Sequence, residues 1–225
     1  MMDWTPLELL DFARGPALEF AMIVFVFGVL WRLVGVLLLP RMRDLSPARE
    51  GAPPGWLGAA RTIVRRMWPR REFMPATLFV TINSYVFHLG LAIVVFGLGP
   101  HILFFQEVFG LTWPALPTNL VAVVGAITFA SLLAVLVRRM TNPVQRLLSH
   151  AGDYLSWAVT FLPVLTGLLA ANPIGGRYET LLALHLLSIA ALLIWFPFGK
   201  LMHAFLFALS RGATGLRFSH RGVKA

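Results

Sequence analysis

The chain has 225 residues, 58% hydrophobic and only 13% charged, with a mean hydropathy of +0.76; a soluble domain is nearer half apolar and a quarter charged, so lipid is the expected solvent. Its 19 Lys and Arg against 10 Asp and Glu give a net charge of +9, but they stand in blocks between apolar runs, the pattern of membrane loops and not of a nucleic-acid surface. The absence of cysteine excludes disulfides, Cys-ligated iron–sulfur clusters and zinc, and the C-x-x-C-H attachment of c-type haem, so a redox centre must hang on the six His or eight Met.

A hydrocarbon core of about 30 Å needs about 20 apolar helical residues. Five stretches meet that length, roughly 17–39, 76–105, 120–137, 154–171 and 180–209. The expected fold is all-α, an integral membrane five-helix bundle forming one domain over 1–225, with no internal repeat and no soluble domain. The first run lacks the short n-region and A-x-A site of a signal peptide and reads as a retained helix. Its Glu19 and Arg32 lie near opposite ends, so they do not make the paired intramembrane charge that a transporter needs.

The segment 40–75 is longer than a connection requires. From Trp56 to Trp68, the residues Trp56, Leu57, Ala60, Ile63, Val64 and Met67 fall towards one face and Arg61, Arg65 and Arg66 elsewhere, the pattern of a basic amphipathic interfacial helix. It anchors on anionic headgroups or docks a cytoplasmic partner.

The second stretch carries Phe87-His88-Leu89-Gly90-Leu91 and, thirteen residues after His88, His101. A histidine inside a membrane helix is costly unless a ring nitrogen is used, so each is a candidate haem ligand. On a regular helix thirteen residues turn a side chain by about 220°, so the two do not share a face unless Gly97, Gly99 and Pro100 kink the helix between them. The loop Gly110-Leu-Thr-Trp-Pro-Ala-Leu-Pro117 reads as a rigid interfacial turn.

The fifth stretch carries His185 and His203, 18 residues or five turns apart, so they point the same way about 27 Å apart. Helix two and helix five run antiparallel, which pairs His101 with His185 and His88 with His203. The inner pair sits at unequal depths, about 28 and 36 Å from the outer charges, so the helices tilt or the haem lies obliquely. Two imidazoles saturate an iron for electron transfer. The competing reading is helix-to-helix hydrogen bonding by histidines in a haem-free anchor or assembly subunit. His150 and His220, beside basic segments, read as solvated.

Loop charge sets the orientation. The N-terminal segment (Asp3, Glu8, Asp11), the loop with Glu107 and the turn with Arg177 and Glu179 are neutral or acidic and belong outside. The loop with Arg41, Arg43, Arg49, Arg61, Arg65, Arg66, Arg70 and Arg71, the turn with Arg138, Arg139 and Arg146, and the tail with Arg211, Arg217, Arg221 and Lys224 belong inside. The expected topology is N-terminus outside and C-terminus cytoplasmic.

The basic run from Arg65, the Phe87–Leu91 segment, Ala151-Gly-Asp-Tyr154 leading to Thr166-Gly167-Leu168, and the spacing of His185 and His203 together resemble the membrane cytochrome b of the respiratory nitrate reductase gamma subunit type, with the related subunits of sulfite-reduction and heterodisulfide-reductase-like complexes. The resemblance covers most of the chain from Arg65 onward. It implies two b haems, the one nearer the cytoplasm on His88 and His203 and the outer one on His185, in the cytoplasmic (inner) membrane. It implies electron exchange between the quinone pool and an iron–sulfur partner subunit on the cytoplasmic side, substrate chemistry being left to soluble subunits. The quinone is expected near Gly99, His101 and Trp113. One position departs from the family: the second histidine of helix two belongs ten residues after the first, where this chain has Leu98. Either His101 takes over the outer ligand, or the outer haem is absent or otherwise ligated.

Overall fold

The computed structural model describes residues 4–40, 44–172 and 174–223, and the charged residues Asp3, Arg41, Arg43 and Lys224 of the topology reading lie outside them. The described residues form ten α-helices: α1 (Pro6–Phe12), α2 (Leu18–Leu37), α3 (Gly55–Arg65), α4 (Met74–Gly97), α5 (Gly99–Phe109), α6 (Thr118–Thr141), α7 (Pro143–Leu148), α8 (Ala151–Ala171), α9 (Tyr178–Trp195) and α10 (His203–His220). The protein is all-helical among these residues, and five segments are long and apolar enough to cross a membrane: Pro6–Leu37, Arg71–Gly97, Thr118–Thr141, Ala151–Ala171 and Tyr178–Trp195. Side chains on them face outward as lipid-exposed groups do; Phe27 is 69% and Trp31 80% exposed.

The three largest departures from the expected bounds each fall at a proline. The first span starts at Pro6, where Thr5 and Glu8 form a capping box, and passes Pro16 through a π-helical turn over Ala13–Ala17 that absorbs the missing N–H. The stretch 76–105 is two helices, α4 and α5, parted at Leu98. The stretch 180–209 is also not one helix: α9 stops at Trp195, and α10 begins at His203 after a 3₁₀ turn at Lys200–Met202. Pro197 has no N–H to give and its ring opposes the carbonyl four residues back, while Gly199 is extended.

The contacts form two compact units. One holds the described residues up to Phe25 with Phe79–Trp195. Its helices pack at small residues and are tied by polar cross-links. Gly90 of α4 lies against the Thr128 hydroxyl of α6, where a Cβ has no room. Asn83 donates to the Ser131 carbonyl at 3.0 Å, Trp157 Nε1 to the Leu132 carbonyl at 2.9 Å, and Trp195 Nε1 to Ser156 Oγ at 2.9 Å. At the start of α8 His150 is the N-cap: its Nδ1 accepts from Gly152 N, and Asp153 reaches back to the His150 N–H. Asp153 is buried and lies 3.6 Å from Arg139, which also donates to Ser149.

The other unit holds Val26–Leu78 and the chain from Phe196 onward. Here α3 and α10 pack antiparallel through glycine: Gly58 against Gly215 and Ser219, Gly55 against Leu216, Gly212 against Ala59 and Ile63. Arg66 lies over the Phe218 ring at 5.6 Å, and Ser219 Oγ donates to the Pro53 carbonyl at 3.1 Å. The loop before α3 is fastened to the end of α10 by Arg221 Nε on Asp44 at 3.0 Å and by His220 Nε2 on the Ser46 carbonyl at 2.9 Å. The Ser46 hydroxyl and then Arg221 hold the Asp44 carboxyl down to about 2.

Candidate functional site

The break between α4 and α5 determines where His101 points. Leu98 is extended (ψ 129°) and caps α5, and Pro100 lacks the N–H that the Phe96 carbonyl accepts in a regular helix. Trp113 Nε1 supplies that donor at 2.6 Å, and Leu116 N donates to the Gly97 carbonyl at 2.9 Å. The His101 amide turns to the Leu98 carbonyl at 3.0 Å, and its Nδ1 donates to the Val94 carbonyl at 2.9 Å. The loop after α5 therefore closes the gap in the helix, with Trp113 seated beside Phe105 at 5.4 Å and Phe96 at 6.3 Å between ring centroids.

His185 is set by the facing helix α8. Thr166 Oγ1 donates to the Leu162 carbonyl at 2.7 Å, as a membrane threonine does, and so presents a lone pair to His185 Nδ1 at 3.2 Å. Ser188 Oγ, 3.0 Å from the same hydroxyl, donates to the His185 carbonyl at 2.7 Å. Gly167 makes the room: a Cβ there would stand 3.0 Å from His185 Cε1.

These two settings bring His101 and His185 together. Their ring centroids are 6.2 Å apart and their planes differ by 19°. With metal–nitrogen bonds of about 2 Å, two imidazoles ligating one ion from opposite sides have centroids about 6 Å apart, a separation that this pair matches. The angle of about 220° that a straight helix would set between His88 and His101 does not apply here, because the helix is broken at Leu98.

His88 on α4 donates from Nδ1 to the Ser84 carbonyl at 2.7 Å, and His203, the first residue of α10, to the Lys200 carbonyl at 2.8 Å. A carbonyl only accepts, so Nδ1 carries the proton in His88, His101 and His203, and Nε2 is the lone-pair nitrogen; Thr166 imposes the same tautomer on His185. This is the state in which a histidine ligates a metal through Nε2 with its other nitrogen held by an outer partner. His150 and His220 are bonded otherwise, Nδ1 as a cap acceptor in one and Nε2 on a carbonyl in the other.

One expectation is corrected. His185 and His203 are not on one face of one helix, because the chain breaks at Pro197; they stand on α9 and α10, in different compact units. Of the expected quinone residues, Gly99 and His101 lie in the first turn of α5, and the Trp113 N–H is engaged by the Phe96 carbonyl. Among the described residues no group of three or more His, Cys, Asp or Glu is placed to hold a metal ion, a set that two-histidine ligation does not require. The reading from residues alone overlooked Thr166 and Ser188 as partners of His185. Ser188 stands three residues after it, within one turn of the same face.

No family model and no solved structure matches the chain. A protein of Nitratidesulfovibrio vulgaris (strain Hildenborough), whose only description is "Protein", is 30% identical over 213 residues, with 92% of each chain covered. The chain belongs to the same family as this Nitratidesulfovibrio vulgaris protein.

Proposed function

We propose that the chain is a b-type cytochrome subunit of a membrane oxidoreductase, similar to the nitrate reductase gamma type, working in the cytoplasmic membrane between the quinone pool and an iron–sulfur partner. The observation that carries this reading is the His101–His185 pair at 6.2 Å with both Nδ1 atoms held. A haem bound there supplies one-electron transfer. The protein's own part is to present two Nε2 lone pairs at fixed separation, His101 through the Val94 carbonyl and His185 through Thr166, and to keep the surroundings apolar. His88 and His203 are the further candidate haem ligands, each with its Nδ1 already held by a backbone carbonyl. In the proposed quinone region the Trp113 N–H is engaged, so the indole offers a quinone its ring face, Gly99 a close-approach position and His101 only the edge of its ring.

The test is the dithionite-reduced absorbance spectrum and the pyridine haemochrome of the purified chain. The expected result is a b-type alpha band with about two haems per chain, falling to about one in both H101A and H185A. A chain without haem, or haem content unchanged in both variants, overturns the reading in favour of a haem-free anchor.

A further inference from the structure

The α3–α10 unit contains a cavity of about 300 Å³ that the haem reading does not use. Arg49, Arg61 and Arg65 line it against one acid, Glu50. Arg49 is held by its Nη1 bond to the Gly222 carbonyl at 3.2 Å, while among the described residues the side chains of Arg61 and Arg65 make no ion pair or hydrogen bond. Their spacing of four puts both on one flank of α3.

The other two faces of α3 say what medium surrounds that flank. One face, Gly55, Gly58, Ala59 and Thr62, is covered by α10. The opposite face carries Trp56 and Val64, each 70% exposed, in line with Ala60 and Met67. The helix is joined through residues 66–73 to the membrane span that contains α4, and α10 through residues 196–202 to the span α9, so both ends of the unit are tethered at the bilayer. An apolar stripe with tryptophan at its start lies among acyl chains at the interface, which sets an adjoining arginine flank at the depth of the lipid phosphates. A soluble phosphate compound answers only the charge of the cavity; an anionic phospholipid answers the charge and, through its acyl chains, the adjoining apolar stripe.

We propose that Arg49, Arg61 and Arg65 form a site for the phosphate of an anionic phospholipid whose acyl chains run along the Trp56, Ala60 and Val64 face of α3. Guanidinium forks donate to phosphate oxygens in bidentate fashion, and the ring of Phe218 closes one wall.

The full chain in non-ionic detergent, titrated with phosphatidylglycerol and read by native mass spectrometry, tests this. The expected result is one retained lipid per chain, not displaced by excess inorganic phosphate and not reproduced by phosphatidylcholine. In R61Q/R65Q, removal of two interfacial arginines weakens retention about 30-fold. R217Q, at a position that does not line the cavity, retains the lipid as the unmodified chain does. Both substituted positions are exposed, and circular dichroism checks that the helices persist. Equal retention by R61Q/R65Q overturns the proposal, as does displacement by inorganic phosphate, which assigns the cavity to a soluble phosphate. Equal loss in R217Q also overturns it, since it reduces the effect to net charge. Haem content, measured on the same samples, is expected to stay constant, which separates this outcome from that of the haem test.

Discussion

Thr166 holds His185 by acceptance alone. Its hydroxyl proton is committed to the Leu162 carbonyl, so His185 Nδ1 finds only a lone pair and must donate to it. Thr166→Val keeps the shape and removes that lone pair, leaving the Pro163 carbonyl as the ring's remaining partner. Outer partners of this kind are worth about 10- to 100-fold in metal affinity, so haem titration of the apoprotein is expected to show that loss for the outer haem, with rescue by Thr166→Ser. An affinity unchanged in T166V would show that the threonine only fills space. At this scale the candidate ligands were legible because histidines within long apolar stretches are costly and few, but their partners were not. Thr166 is an ordinary membrane threonine by composition, and its role comes from the register of α8 against α9, which no spacing within one helix encodes.

Breaks separate the observed elements from the expected ones. Hydropathy runs straight through Leu98 and through Phe196 and Phe198, because these residues are as apolar as the helices they interrupt. Proline alone does not mark the places either: Pro163 sits inside α8 without ending it, Pro16 costs only a π turn, and Pro75 lies in the first turn of α4. What makes Pro100 a true break is that other groups are at hand for the freed carbonyls, Trp113 for Phe96 and the Leu116 amide for Gly97. Trp113→Phe keeps the aromatic stack and deletes the donor. The Phe96 carbonyl is then unsatisfied at a cost of about 1–3 kcal/mol. The expected outcome is a lowered midpoint of thermal unfolding in detergent, together with weaker haem retention at the His101–His185 pair. A midpoint equal to that of the unmodified chain would show that the α4–α5 break is held by α5 packing and not by the indole.

For the whole molecule, the charge pattern and the α3–α10 packing constrain topology independently. Helix α3 belongs to the loop before α4 and α10 to the tail, and they are in contact, so that loop and the tail share one side of the bilayer. The four spans between them, in α4, α6, α8 and α9, return the chain to that side, which a fifth crossing by 196–220 would forbid. Charge names the side: Arg49, Arg61, Arg65 and Arg66 in the loop and Arg211, Arg217 and Arg221 in the tail predict the cytoplasm. Because the chain has no cysteine, single introduced cysteines can be mapped without background. An impermeant maleimide applied to intact spheroplasts is expected to label T112C and I174C, in the two opposite turns, and to spare L45C and V223C until the membrane is opened. Label on all of L45C and V223C and on neither of the others would refute the arginine assignment while leaving the packing intact. Label on only one of L45C and V223C would refute the packing itself, because no arrangement that keeps Gly58 against Gly215 can put them on opposite sides.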